Sequence, residues 1–361
     1  MGGFMSKGRM ANFELLRIVA MLMIIALHYL VKGAVAVPFE ESTAAVNYVA
    51  WLIEALCIVA VNCYVLISGY FLVESTWKPG RVGSLVCRIL FYSLLIPVLL
   101  LIIGEVSPSS LGIYDWIGYL FPIDTEHYWF ATAYLIMYLF APLLAEGIKK
   151  TEKKQLELLI VLLLFFFSAV KTCVPVPFVT DRYGYDFGWF LCLFVIAGYL
   201  RRFGFPWLEK KAHAVSLYVV STLGIWAISV GSHSLAGKIQ AFSYYEDMPY
   251  TYNYLLCVTG AVGLFYVFKD MKIGEGRAAK IICTLAPYTF GVYLLHEHIL
   301  LRYEWMQWLK VDRVSGSFLF VPHMLMNVLL VYVVGTVVDF VREWIFSHVG
   351  AFAGRLVKKQ E

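Results

Sequence analysis

Charge is scarce in this chain. Of its 361 residues only 15% are Asp, Glu, Lys or Arg, whereas 61% are hydrophobic and the mean hydropathy is +0.74. That balance excludes a soluble domain, and nucleic acid as a partner with it, and defines a polytopic membrane protein. The seven cysteines contain no CxxC pair and lie mostly inside or at the edge of apolar runs, so neither a zinc site nor a disulfide framework is expected. No Asn-x-Ser/Thr sequon occurs, in keeping with a bacterial chain. The first apolar run lacks a small-residue cleavage site and is long enough to span, so it is expected to be a retained helix and not a signal peptide. The loops are short and no solenoid repeat is present, so residues 1–361 are expected to form one transmembrane domain with no appended soluble domain.

What the chain does have is long apolar runs. Stretches of spanning length fall near 13–31, 46–73, 87–104, 127–145, 156–171, 186–200, 213–230, 251–268, 281–300 and 318–341, which predicts an all-α fold of about ten transmembrane helices. A shorter piece, Leu111 to Phe121, has about half the needed length and reads as interfacial or re-entrant. With the N-terminus placed inside, the inner segments hold twenty-one Lys and Arg and the outer segments seven. This positive-inside asymmetry predicts both termini in the cytoplasm, and the expected location is the plasma membrane, that of a bacterium in keeping with the missing sequons.

Against this background, intramembrane polar residues are costly and point to function. The first run holds Arg17 and His28, separated by ten residues. At 100° and 1.5 Å per helical residue, eleven steps make three turns plus ~20°, so both side chains share one face, ~16 Å apart along the axis. The bland reading is that each snorkels to its nearer headgroups. The second run adds Glu54, near the depth of His28, and Asn62, with Ser68-Gly69 near the depth of Arg17. A carboxylate at imidazole depth can orient His28 and raise its basicity, although an interfacial Glu would look the same. Glu126, His127 and Trp129 begin the fourth run, and Tyr293-Leu-Leu-His296-Glu297-His298 ends the ninth, bringing further polar groups to the outer half. No HxxxH or HExxH spacing is present, and consecutive residues at 296–298 lie ~100° apart on a helix, so no metal is expected. Lys78, Arg81 and Arg88, with Lys269, Lys272, Arg277 and Lys280, make a basic cytoplasmic mouth below Arg17 that suits an anionic ligand.

Taken together these residues resemble acyltransferase family 3, membrane proteins that include O-acetyltransferases of bacterial surface polysaccharides. The likeness rests on Arg17-x10-His28, Ser68-Gly69-Tyr70, the basic Arg81 to Arg88 stretch before Pro97, His127-Tyr-Trp129-Phe130, and Thr289-Phe-Gly-Val-Tyr293-Leu-Leu-His296, in order over almost the whole chain. It departs at Leu85, where many members carry the first arginine of an Arg-x-x-Arg pair, and after Trp129, where some carry a carboxylate.

The resemblance implies that acyl-CoA enters from the cytoplasm and that its acyl group, acetyl by first assignment, passes to a hydroxyl of an extracytoplasmic glycan or lipid-linked sugar. Arg17, His28 and Glu54 are then the expected catalytic residues; Arg17, Ser68, Arg81 and Arg88 the donor contacts; Glu126, His127, Trp129, Tyr293 and His296 the acceptor contacts. His28 acts as general base or transient acyl carrier, and the ~15 Å pantetheine arm matches the Arg17 to His28 distance. The alternative from another class is a transporter or exporter of a polysaccharide or small metabolite, whose polar residues would line a path. It expects Gly/Pro-interrupted helices at matching places in two halves, a pattern the sequence lacks.

Overall fold

The computed structural model describes residues 10–123, 125, 127–176 and 182–357, with side chains as far as residue 348. These residues form helices and no strand. In chain order the helices are α1 (Ala11–Lys32), α2 (Ala45–Leu72), α3 (Pro79–Ile103), α4 (Ile113–Leu120), α5 (Trp129–Lys150), α6 (Lys153–Cys173), α7 (Phe187–Arg202), α8 (Lys211–Ala236), α9 (Leu255–Lys269), α10 (Arg277–His296), α11 (Glu304–Trp308) and α12 (Phe320–Val357).

Nine stretches, α1, α2, α3, α5, α6, α8, the Gln240–Lys269 segment that ends in α9, α10 and α12, are long and apolar enough to cross a membrane. The tenth expected span, near 186–200, is α7, whose 16 residues rise only ~24 Å against a ~30 Å hydrocarbon core. It is well buried, with Trp189, Phe190, Leu193, Phe194 and Ala197 all inside the bundle. The Leu111 to Phe121 piece forms the eight-residue α4, which exposes Ile113, Tyr114, Ile117 and Leu120 and buries only Tyr119.

The bundle is organised around α1. Phe13, Leu16, Ala20, Ile25, Tyr29 and Leu30 are buried against α2, α9, α10 and α12. The outer helices show the reverse pattern, as on α6, where Leu158, Val161, Leu162, Phe165 and Phe166 face outward as lipid-facing residues do. Two local departures matter for the interior. Helix α2 is interrupted at Ile58 and Val59, and just beyond the break the fully buried Asn62 donates to Tyr252 O at 2.7 Å and accepts from Trp189 Nε1 at 3.0 Å. That satisfied amide ties α2 to α7 and to the segment before α9, a structural task in a medium without water. Helix α7 is started by Asp186, whose carboxylate accepts from Trp189 N at 3.0 Å, a side-chain N-cap.

Candidate active site

The stripe anticipated on α1 exists, and a cavity follows it. Met21, Ile24 and His28 succeed Arg17 at helical spacing and line a narrow cavity whose other walls are Val61 and Tyr64 of α2, Trp129 and Phe130 of α5, Tyr252, and Phe290 and Tyr293 of α10. Its free volume is about 20 Å³, room for one water, so a ligand must displace side chains to enter.

At one end of the stripe Arg17 Nη1 donates to Glu14 Oε1 at 2.5 Å, one turn earlier on the same helix. Glu14 is buried, whereas the Arg17 side chain retains about a quarter of its exposure. The guanidinium is thus charge-compensated on one side and open on the other, which reduces the cost of an intramembrane cation.

At the other end His28 meets α10. Its Nδ1 lies 3.0 Å from His296 Nε2 and 3.1 Å from Glu297 Oε1, and Lys32 Nζ, one turn further along α1, donates to the same Glu297 oxygen. The protonation pattern follows by elimination. His296 Nδ1 stands 2.6 Å from Val292 O, and a carbonyl can only accept, so His296 carries its proton on Nδ1 and offers Nε2 as an acceptor. His28 must then be the donor, with its proton on Nδ1 shared between His296 and the carboxylate. Its Nε2 is left with a lone pair and no hydrogen-bond partner among the described residues. Burial opposes ionisation of Glu297, but the neighbouring His28, Lys32 and His296 outweigh it and hold the carboxyl well below the ordinary carboxylate range. An ionised carboxylate on the far side of an imidazole is the arrangement that stabilises an imidazolium. Tyr293 and Trp305 set their rings edge-on to His296, at 6.3 and 6.2 Å, and confine it from both sides.

The nearest ligand atoms of His28, His296 and Glu297 all lie within 4.8 Å of one another, the one such trio among the described residues. Lys32 occupies the Glu297 oxygen that faces His28, so a divalent ion there would meet an ammonium at close range.

The remaining anticipated residues distribute unevenly. Trp129 and Tyr293 line the cavity with His28, and His296 touches it. Glu54 is buried but does not reach His28; the carboxylate at the imidazole is Glu297, and Glu54 Oε2 is without a partner among the described residues. His127 belongs to a neighbouring group, its Nδ1 3.1 Å from Thr125 Oγ1 and its ring 5.4 Å from Tyr119 and 6.4 Å from His298. Burial holds His127 and His298 below the ordinary imidazole value, so both are neutral at pH 7. Glu126 lies outside the described residues. Ser68 is buried on α2, and Arg81 is exposed in the first turn of α3.

Arg88 is committed to another helix. Its Nε lies 3.2 Å from Asp339 Oδ1, its Nη2 donates to the other Asp339 oxygen and, at 3.2 Å, to Pro287 O. Asp339, fully buried on α12, also accepts from Arg342 Nε at 2.6 Å and the Tyr92 hydroxyl at 3.0 Å. Two arginines on one buried carboxylate lock α3, α10 and α12 together, with Gly291 so close that a Cβ there would stand 2.3 Å from Asp339 Cγ.

Sequence reasoning missed Glu297 as the orienting group although it sits in the quoted Tyr293 to His298 run. The usable signal was Lys32, four residues after His28 and on the same face, a cation beside the apolar run that calls for an acid. Glu14, three residues before Arg17, carried the same kind of signal. A family model described as an acyltransferase domain matches residues 10–342, nearly the whole chain. No curated protein and no solved structure matches it.

Proposed function

The chain belongs to acyltransferase family 3, and from that premise we propose that it moves an acyl group, acetyl in the simplest case, from cytoplasmic acyl-CoA to a hydroxyl of a glycan or glycolipid at the outer face of a bacterial plasma membrane. The observation that carries the reading is the chain of contacts from Val292 O through His296 Nδ1 and Nε2 to His28 Nδ1, which implies an unshared lone pair on Nε2 of a residue that lines the cavity. A general base needs that tautomer.

In the proposed step His28 Nε2 accepts the hydroxyl proton as the acceptor oxygen attacks the thioester carbonyl carbon. The C–S bond breaks, and the imidazolium returns the proton to the departing thiolate, so an ester and a free thiol form with no net proton change. Glu297 and His296 hold the Nδ1 proton throughout and stabilise the transient cation. Arg17, open on the side away from Glu14, holds phosphate or amide oxygens of the donor arm, and the ~16 Å rise between Arg17 and His28 suits the arm's length. The excess of Lys and Arg on the Arg17 end supports entry of the donor from the cytoplasm. Arg88 is better read as a strut than as a donor contact, since its guanidinium is committed to Asp339 and Pro287. Family membership weighs against the exporter reading.

The test is thiol release from acetyl-CoA by folded protein in nanodiscs supplied with glycan acceptor. His28→Ala is expected to lose about 10²- to 10⁴-fold in transfer rate. Full transfer by that variant overturns the mechanism.

A further inference from the structure

Beside the His28 cavity three aromatic rings form a closed triangle that the acyl-transfer step does not use. Trp129 and Tyr185 have centroids 4.6 Å apart, Tyr185 and Tyr252 4.6 Å, and Trp129 and Tyr252 5.6 Å with planes only 23° apart. Trp129 and Tyr252 line the cavity together with His28, whereas Tyr185 keeps 44% of its surface exposed, so the group runs from the cavity wall to an open lip. An ordinary interfacial belt presents its rings to headgroups one by one. Here the backbone is bent to bring them together.

The bend is costly. Tyr183 has φ +59°, a left-handed conformation a bulky residue rarely adopts, and Gly184 follows at φ +82°. A Cβ on Gly184 would stand 2.8 Å from Tyr252 Cβ and 2.9 Å from Asn253 N, so only glycine permits the approach. The turn is pinned by Tyr252 N donating to Tyr183 O at 3.1 Å, and Asp186 then caps α7 directly after Tyr185. Strain held in place from both sides is a mark of a functional segment.

Polar groups accompany the rings. The Trp129 indole N–H makes no hydrogen bond among the described residues. Glu54 is 5% exposed, lies within electrostatic reach of the Tyr185 and Tyr252 phenols, and ends on an oxygen with no partner among the described residues. The near-parallel Trp129 and Tyr252 rings, with Tyr185 tilted by 55° and 50° to them, make an aromatic corner that carries one unpaired donor and one unpaired carboxyl oxygen, which fits a molecule that is apolar on its faces and hydroxylated at its rim. A pyranose is such a molecule: its axial C–H bonds, slightly positive, pack on the negative face of an aromatic ring.

We propose that Trp129, Tyr185 and Tyr252 form a pyranose-binding platform, with the Trp129 indole N–H and the Glu54 carboxyl group taking ring hydroxyls, which holds the acceptor sugar against His28. The assignment rests on the acyl-transfer reading for its purpose but is tested without a donor. The probe is methyl β-D-glucopyranoside, with glycerol as a hydroxylated control that has no ring, added to the full-length protein in nanodiscs. Saturation of the aromatic protons should transfer to the C–H protons of the pyranoside and not to glycerol. Tyr185→Ala, at an exposed position where folding tolerates the change, should bind the pyranoside about tenfold more weakly, and Tyr185→Phe, which keeps the ring, within about twofold of wild type. Absence of transfer to the pyranoside in wild type, equal transfer to glycerol, or unchanged binding by Tyr185→Ala each overturns the platform. None of these outcomes touches thiol release by His28, so the two readings fail separately.

Discussion

Glu297→Gln isolates the electrostatic part of the proposed mechanism, because it preserves shape and an acceptor while removing the charge. At the observed 3.1 Å, an imidazolium on His28 and the Glu297 carboxylate attract by ~5 kcal/mol at an effective dielectric constant of ~20. Lys32 on the same oxygen cancels part of this and the Gln oxygen restores part, so ~2–4 kcal/mol of transition-state stabilisation should be lost, roughly 30- to 1,000-fold in kcat. The assay is acceptor-dependent thiol release at pH 7. There Glu297 is fully ionised: a carboxyl with a lowered folded-state pKa contributes stability that is complete above the unfolded value of ~4.3 and drains away only as pH falls through the folded one. A fold defect is the main confounder, since the single change leaves Lys32, 15% exposed at its side chain, without its counter-charge. Lys32→Met combined with Glu297→Gln removes both charges and should recover the thermal midpoint but not the rate. A kcat within threefold of wild type for Glu297→Gln, or its recovery in the double variant, would refute the assignment of Glu297 to imidazolium stabilisation.

Two further outcomes are expected. Gly291→Ala drives a methyl group into Asp339 and should cost ~3 kcal/mol or more, seen as a collapse of folded yield in detergent, whereas a normal thermal midpoint would mean that α10 and α12 can separate cheaply. For orientation, with the exposed Cys87 and Cys173 replaced by Ser, exposed Lys238→Cys should react with a membrane-impermeant maleimide on intact cells, and exposed Lys150→Cys only after permeabilisation; the opposite pattern would invert the positive-inside assignment.

Helix positions were legible in the sequence because spanning length and composition are one-dimensional properties, and every one of the ten apolar runs is helical. What that criterion did not convey is how short α7 is: its run is as apolar as its neighbours, but the helix has only 16 residues and is capped by Asp186. The Arg17–His28 face was legible for the same reason, since helical phase fixes it. Pairing between helices was not. Glu54 and Glu297 both occur near imidazole depth in the sequence, and depth alone cannot tell which rotates toward α1; only the packing of α10 on α1 decides for Glu297. Arg88 looked available for a ligand because its partner, Asp339, lies 251 residues away.

The contact between His28 and His296 joins residues 268 positions apart. During synthesis α1 enters the bilayer first, so Arg17 and His28 reside in lipid long before α10 is made, with only Glu14 from the same helix to shield the arginine. The imidazole acquires its proton pattern when α10 docks and brings His296 and Glu297 alongside. A chain released early therefore holds an imidazole of undefined tautomer and no counter-charge, so it has no means of activating a hydroxyl. The proposed chemistry is thus withheld until the bundle is complete.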